Sequence, residues 1–319
     1  MDPVHDPPIS LPDGFYEWPP RVRPKFQDRR WLHALLLGLT MASTTLVGMS
    51  HYASFRSDFL TRPVGLSFVP LLAGGLWYSV TILAILGCHE LGHYLACRYY
   101  DVDASLPYFI PVPIVLSGTL GAFIQIREQI PSKRKLFDIG IAGPIAGFLV
   151  AVPALFFGLT MSRIVRIPPN IPLSELGEPL IFKLVSGLVW GTPPDGYSLS
   201  LHPVAFAAWF GLLVTALNLF PFGQLDGGHI SYAVFGRASR YVTMATVGIA
   251  VVLTFFSISW LVWTALMVVA LLRFGARHPP TIDEQPLDRT RTVVAVFALI
   301  MFALCFTPTP IGPAELLAR

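Results

Sequence analysis

Residues 68–96 read FVPLLAGGLWYSVTILAILGCHELGHYLA, an apolar run that carries His89, Glu90 and His93 near its end. Residues four apart lie on one face of a helix, so the two imidazoles can share a metal ion while Glu90 stands beside it as a general base. A charged group in hydrocarbon costs roughly 2.5–3.5 kcal/mol, which argues against a lipid-facing position for these side chains. The stretch therefore predicts a long helix with a metal site. Cys88 points to another helix face, and we interpret it as apolar packing.

The composition extends this prediction to the whole chain. Of the 319 residues, 54% are hydrophobic and 13% are charged, and the mean hydropathy is +0.62. This excludes an ordinary soluble globule and predicts an all-α polytopic membrane protein with about six to seven transmembrane helices. We expect residues 1–30 to form a cytoplasmic arm and residues 309–319 a short tail. The candidate spans are 31–50, 68–97, 138–160, 203–220, 241–256, 259–272 and 292–308.

The basic residues between these spans predict the orientation. With the N-terminus inside, 16 of the 22 Lys and Arg residues fall on the cytoplasmic side and 6 on the other. Positive charge concentrates in cytoplasmic loops, so this assignment is favoured over the reverse. The net charge of +3 then reflects membrane topology, and no basic and aromatic patch indicates nucleic acid as a partner.

A second motif, NLFPFGQLDGGH, occupies residues 218–229 and follows another apolar run. Two imidazoles leave a catalytic zinc without its customary third protein ligand, which Asp226 can supply while a fourth position stays open to water. Pro221 and the glycines break the helix, and irregular backbone at membrane depth is tolerated where it lines a wet cavity. Two other interpretations of Asp226 remain open, a helix cap and a residue that supports the ligands without binding metal.

The two motifs together resemble the site-2 protease family of intramembrane zinc metalloproteases, whose signatures are HExxH and an NxxPxxxLDGGH-like element. The resemblance implies that His89, His93 and Asp226 bind Zn²⁺ and that Glu90 activates the attacking water. It also implies that Asn218 positions the substrate or the oxyanion.

The resemblance covers most of residues 70–235 and implies a transmembrane protease domain at 31–308 with its core at 68–235. No stretch of the chain is long or polar enough for a PDZ or CBS domain, so the chain looks most similar to the compact prokaryotic and plastid-type branch. We therefore expect a multi-pass protein of a prokaryotic cytoplasmic membrane.

The activity implied by the resemblance is hydrolysis of peptide bonds in or near transmembrane segments of membrane-protein substrates within the lipid bilayer. A metal-ion or solute transporter is the alternative, since intramembrane His and Asp residues also mark ion pathways. Such a transporter leaves Glu90 unexplained. A second alternative is an inactive relative that binds clients without cutting them, although HExxH and Asp226 are intact. The oligomeric state stays open.

Residues 105–127 follow the metal-site helix and contain three prolines that exclude a regular helix. The run from Thr119 to Arg127 suits an extended segment, and the resembling family has a short membrane-associated β-hairpin here. Gly118, Thr119 and Gly121 are therefore candidate substrate-positioning residues, because an edge strand can hold an unwound substrate extended. An interfacial amphipathic loop is the alternative interpretation.

The other polar and small residues have structural interpretations. Small residues four apart allow close helix packing, so we interpret Gly143 and Gly147 as packing positions and not as a phosphate loop. Asp138 is interpreted as a helix N-cap, and His33 and His202 as structural histidines. The role of the Pro-rich loop at 161–202 stays open, and a filter for substrates is one interpretation.

Overall fold

The computed structural model describes residues 24–59, 65, 67–113, 117–167, 174–257, 259–276 and 278–313. Most of the predicted arm and the end of the predicted tail lie outside the described residues. The fold is mostly helical. The helices are α1 (Arg30–Arg56), α2 (Phe68–Tyr99), α3 (Lys133–Thr160), α4 (Leu180–Trp190), α5 (Pro203–Asn218), α6 (Asp226–Phe235), α7 (Ser239–Thr254), α8 (Ser259–Phe274) and α9 (Arg289–Cys305).

In the part of the chain that the structure describes, six short strands form three antiparallel two-stranded sheets. The strands are β1 (Tyr108–Pro111), β2 (Thr119–Phe123), β3 (Arg163–Arg166), β4 (Ser174–Leu176), β5 (Tyr197–Ser200) and β6 (Ile311–Pro313). β1 pairs with β2, with Tyr108 opposite Phe123. The predicted hairpin after the metal-site helix is therefore confirmed. The pairs β3–β5 and β4–β6 were not predicted.

Among the described residues, three helices, α1, α2 and α3, are long and apolar enough to cross a membrane. Each of the seven candidate spans falls on a helix, but α5, α7, α8 and α9 have 16 or 17 residues and are shorter than the roughly 20 residues that a perpendicular crossing needs. A membrane protein with at least three candidate spans is therefore established by helix length and composition, while the full count of crossings is not.

α2 lies at the centre of the fold and packs against α1, α3 and α5. Its buried face carries Tyr78 and Ile82, and the neighbouring helices contribute the fully buried Leu155 and Trp209. Burying apolar area stabilises a fold by about 25 cal/mol per Å² where water is the alternative, but inside a bilayer close packing replaces this driving force. The rigid surroundings of α2 fix the end of the helix that carries HExxH.

The segment before α1 ties the hairpin region to the helices. Asp28 accepts a hydrogen bond from the backbone N–H of Leu106 at 3.0 Å and forms an ion pair with Arg127. The backbone N–H of Phe26 donates to the carboxylate of Asp103 at 2.6 Å. These contacts hold the chain on both sides of β1 and β2 in a fixed position beside α1.

Two interpretations from the sequence need correction. The stretch at 161–202 is not a plain loop, because it holds β3, β4, α4 and β5. Asp138 is not an N-cap, because α3 begins one and a half turns earlier, where Ser132 accepts from the N–H of Lys135. Asp138 instead pairs with Arg291 at the start of α9 and accepts a 2.5 Å hydrogen bond from Tyr100.

His33 and His202 have hydrogen-bonding partners, in agreement with their interpretation as structural histidines. His202 caps α5 by accepting from the N–H of Val204, and the ring of His33 bonds to the backbone carbonyl of Pro107 at 3.0 Å. Both imidazoles are buried. Neither belongs to the metal-ligand cluster found among the described residues.

Candidate metal centre

α2 and α6 together supply the polar side chains of the site. His89, Glu90 and His93 lie on the last turns of α2 and are all buried, with 3–6% of each residue exposed. Asp226 is the first residue of α6. α5 ends at Asn218, because the following Pro221 and glycines give a turn in place of a continued helix, and the chain re-enters the core at Asp226.

Three side chains from these elements converge on one point. His89 Nε2 lies 3.1 Å from Asp226 Oδ2, and His93 Nε2 lies 3.2 Å from Asp226 Oδ1. The two Nε2 atoms are 3.2 Å apart. The predicted cluster of His89, His93 and Asp226 is therefore brought together, although the two motifs lie more than 130 residues apart in the chain.

The spacing of these atoms suits zinc. Zn–N and Zn–O bonds of about 2.0–2.1 Å in a tetrahedral arrangement place neighbouring ligand atoms about 3.3 Å apart. The two Nε2 atoms are 3.2 Å apart, and each lies 3.1 or 3.2 Å from one of the two carboxylate oxygens of Asp226, which is close to that distance. Two imidazoles and one carboxylate are also a common donor set for a catalytic zinc, with a fourth position left for water. The residues present therefore fit the metal.

The main chain of α3 orients one of the ligands. His93 Nδ1 lies 2.7 Å from the carbonyl oxygen of Ile139, so Nδ1 carries the proton and donates, which leaves Nε2 free to face the cluster. This support from outside the ligand set is the usual means by which proteins fix a ligand imidazole. Because a backbone carbonyl gives no sequence signal, this contact could not be predicted.

Two glycines of α3 leave room for the histidines. A Cβ atom on Gly143 would lie 2.1 Å from His93 Nε2, and one on Gly147 would lie 3.2 Å from His89 Cβ. Any side chain at Gly143 would occupy the space of the ring itself. The interpretation of these glycines as packing positions is therefore correct, and what they pack against is the site.

Glu90 and Asn218 lie beside the three-residue cluster. Glu90 Oε1 is 4.0 Å from His89 Nε2, and its carboxylate also faces the backbone N–H of Ile124, just after β2. Asn218 Nδ2 is 3.1 Å from His89 Nε2. A carboxylate adjacent to the ligands and an amide close to them are the groups that a hydrolytic site requires, a base and a hydrogen-bond donor.

The candidate residues of the hairpin have structural contacts. The hydroxyl of Thr119 donates to the carbonyl of Ile110 at 2.8 Å and accepts from the N–H of Gly121. Gly118 adopts φ of +76° and packs on α1, where its carbonyl accepts from Ser43. Direct contact of these residues with a substrate stays a prediction.

A further histidine of the second motif received no role from the sequence. His229 lies one turn after Asp226, and its Nδ1 is 2.7 Å from Nε2 of His278 in the segment before α9. The motif itself contains His229, so a signal for its involvement was present. His278 could not be found in the sequence, because only the folded chain brings it close.

The comparisons with known proteins agree with this geometry. Residues 77–262 match the family model described as peptidase family M50. A rice protein, "Probable zinc metalloprotease EGY2, chloroplastic" from Oryza sativa subsp. indica, is 30% identical over 258 residues, which are 77% of this chain and 45% of the rice protein.

Two Arabidopsis thaliana proteins are also similar. "Probable zinc metalloprotease EGY2, chloroplastic" is 27% identical over 88% of this chain and 49% of its own length. "Probable zinc metalloprotease EGY1, chloroplastic" is 34% identical over 53% of this chain and 31% of its own length. The chain thus spans about half the length of the EGY2 relatives and about a third of the EGY1 relative. No solved structure matches it.

The matched region contains both motifs and all five residues that lie at or beside the cluster. It spans more than half of the chain, and the family that it indicates is the one that the two motifs resemble. The chain therefore belongs to peptidase family M50, the site-2 protease family.

Proposed function

We propose that this protein is a zinc metalloendopeptidase that hydrolyses peptide bonds in or near the transmembrane segments of other membrane proteins. One observation carries the proposal, namely a zinc-compatible cluster with an adjacent carboxylate on a helix that is itself long and apolar enough to span a membrane. The relatives' names support the zinc and the protease activity. Nothing favours a transporter, in which Glu90 would have no use.

In this proposal His89, His93 and Asp226 bind the metal. Zinc, when bound, acts as a Lewis acid and lowers the pKa of water so that a nucleophile forms near neutral pH. Glu90 takes a proton from the attacking water and later donates it to the leaving amine. The amide of Asn218 is suited to hold a substrate carbonyl as negative charge develops on its oxygen.

The hairpin is proposed to hold the substrate. A transmembrane helix shields its own amides, so it must unwind before a peptide bond can be attacked, and an exposed strand edge can stabilise the unwound form. β2 ends beside Ile124, whose backbone N–H faces Glu90. A substrate strand added along β2 would therefore pass close to the base.

Proline in place of Phe123 is expected to slow cleavage, while Val at the same position is expected to be tolerated. Proline removes one backbone donor from β2 and Val does not. Since a hydrogen bond contributes about 0.5–1.5 kcal/mol, losing this one should lower the rate roughly 2- to 13-fold. Zinc content should be unchanged in both variants. Equal rates for Phe123→Pro and Phe123→Val, at equal protein level, would show that the hairpin does not hold the substrate.

We further propose that six or seven of the helices cross the membrane, with the N-terminus in the cytoplasm of a prokaryotic cell. The domain would extend over 31–308, with its core at 68–235. From His89 to Arg98 is roughly 13 Å along the helix at 1.5 Å per residue. The site would then lie below the cytoplasmic surface, where water can enter from that side.

The orientation predicts which cysteines react with an impermeant thiol reagent in sealed cells. In a background without Cys88, Cys97 and Cys305, a single cysteine placed next to Lys133 or Arg237 should be protected, and one placed next to Ser198 should be labelled. The basis is the excess of basic residues on the predicted cytoplasmic side. Labelling of the first two positions in intact cells would contradict the proposed orientation and indicate the opposite one.

The function itself is tested by comparing membrane-protein fragments in cells that carry the native chain or Glu90→Gln. The native chain should generate fragments whose new ends lie in or near transmembrane segments, and the variant should not, although both should be present at equal levels. Identical fragment patterns in the two strains would contradict the proposed activity.

A further inference from the structure

A cavity of about 560 Å³ lies between the α6–α7 connection and the segment that leads into α9. One wall is formed by Arg237, Ser239 and Arg240, around the start of α7. The opposite wall contains His278 and Glu284. None of the residues that line this cavity belongs to the metal-ligand cluster, so it is a separate feature of the molecule.

The charges that line the cavity are predominantly positive. Within the part of the chain that the structure describes, Arg237 is exposed and has no acidic partner. Arg240 donates to the hydroxyl of Tyr241, the next residue, at 2.5 Å and lies 4.5 Å from the centre of that ring. Neither guanidinium is neutralised by these contacts.

Glu284 is the acidic residue among those that line the cavity, and it is already paired. Its carboxylate accepts a 3.1 Å hydrogen bond from the hydroxyl of Tyr232, and Lys133 Nζ lies 3.8 Å away. His278 adds no charge, because burial lowers the pKa of its imidazole below the usual range. The excess charge at the cavity is therefore that of the two arginines.

We propose that this cavity binds a phosphate group, with Arg237 and Arg240 as its main ligands and the hydroxyl of Ser239 as a further donor. Guanidinium groups bind phosphate oxygens in pairs of parallel hydrogen bonds and stay charged at any physiological pH, which makes them the preferred residues for this task. The phosphate group can come from the headgroup of an anionic phospholipid or from a soluble phosphate ester.

The surroundings suit the lipid source. Phe235, Tyr241 and Met244 flank the two arginines in sequence, and 56–60% of each of these residues is exposed. An apolar surface next to paired cations is the arrangement that an acyl chain and its headgroup require at a membrane boundary.

The cavity also has a structural link to the metal centre. The ring of Tyr232 on α6 stacks on His278 with centroids 4.5 Å apart, and His278 bonds to His229 on the same helix. α6 begins with Asp226. A phosphate group held between the start of α7 and His278 would therefore fix the segment before α9 against the helix that presents the third metal ligand.

The binding test uses the purified full chain in nanodiscs that contain phosphatidylcholine and phosphatidylglycerol, with retained lipid measured by native mass spectrometry. The native chain should retain phosphatidylglycerol selectively. Arg237→Gln should bind it about 10-fold more weakly and the double variant R237Q/R240Q about 100-fold more weakly, because each arginine contributes charge-assisted hydrogen bonds. The matched control, R30Q/R289Q, removes the same charge from exposed helix starts and should bind like the native chain.

A second arm distinguishes the two sources. In this arm glycerol phosphate is added to the protein in nanodiscs before the retained lipid is measured. Displacement of the lipid would identify a site that also binds soluble phosphate esters, and retention of the lipid would identify a headgroup site. Zinc content and thermal unfolding establish that the variants are folded. Native-like lipid and glycerol phosphate binding by R237Q/R240Q, or an equal loss in the control variant, would overturn the proposal whether or not the protein is a protease.

Discussion

Replacing His93 or His89 by alanine is expected to remove zinc from the purified protein. The two Nε2 atoms lie 3.2 Å apart and each lies 3.1–3.2 Å from one oxygen of Asp226, and no other His, Cys, Asp or Glu joins them in the metal-ligand cluster found among the described residues. A structural zinc site is worth about 10–16 kcal/mol over four ligands, so one ligand contributes about 3 kcal/mol, or roughly 100-fold in affinity. Asp226→Ala should show a comparable loss.

Metal analysis after dialysis against a weak chelator measures this effect. Cys88→Ala is the matched control, because Cys88 adjoins His89 on α2 but is not part of the cluster. The control and Glu90→Gln should retain about one zinc per chain. Full zinc content in both His89→Ala and His93→Ala would refute the ligand assignment.

Replacing Gly143 by alanine is expected to weaken the metal site, although Gly143 is not itself a metal ligand. The new Cβ would lie 2.1 Å from His93 Nε2, and the ring cannot move away without breaking its 2.7 Å hydrogen bond to Ile139. Overpacking of this kind costs about 1–3 kcal/mol, and disturbing the support of a ligand typically lowers metal affinity or activity 10- to 100-fold. We therefore expect both zinc affinity and cleavage rate to fall by that factor.

Two further alanine variants make this a graded test. Gly147→Ala brings a Cβ to 3.2 Å from His89 Cβ, so its effect should be smaller. Gly38→Ala on α1 meets nothing within 4 Å and should behave like the native chain. Unchanged zinc affinity and cleavage rate in Gly143→Ala would mean that α3 does not confine His93 in the working enzyme.

The sequence predicted the parts of the fold that depend on local pattern. Each of the seven candidate spans falls on a helix, and the first five residues of the run from Thr119 form a strand, because hydrophobic periodicity and the loss of helix at closely spaced prolines are local effects. α4 was not predicted, because its sequence lacks the local pattern of a membrane span. Its 11 residues are too few for a span and lie in a Pro-rich stretch, so the length criterion excluded it.

Long-range contacts account for the other errors. Asp138 precedes an apolar run, as a cap would, but its partner Arg291 lies 153 residues away. The ligand residues were nevertheless found, because the HExxH spacing and the carboxylate of the second motif carry the chemistry in the sequence itself. The orientation of His93 by Ile139 and the cavity beside α6 depend on tertiary contacts, which neither composition nor spacing encodes.

The most direct test of the proposed activity is cleavage of one membrane-spanning substrate by the purified protein in liposomes, with the products identified by mass. The native chain with zinc should cut at a single position in or near the apolar segment. Removal of zinc should stop the reaction and its return should restore it, while Glu90→Gln should retain zinc and cleave roughly 100- to 10,000-fold more slowly, because the general base is lost. Cleavage by zinc-loaded Glu90→Gln at the native rate would contradict the account.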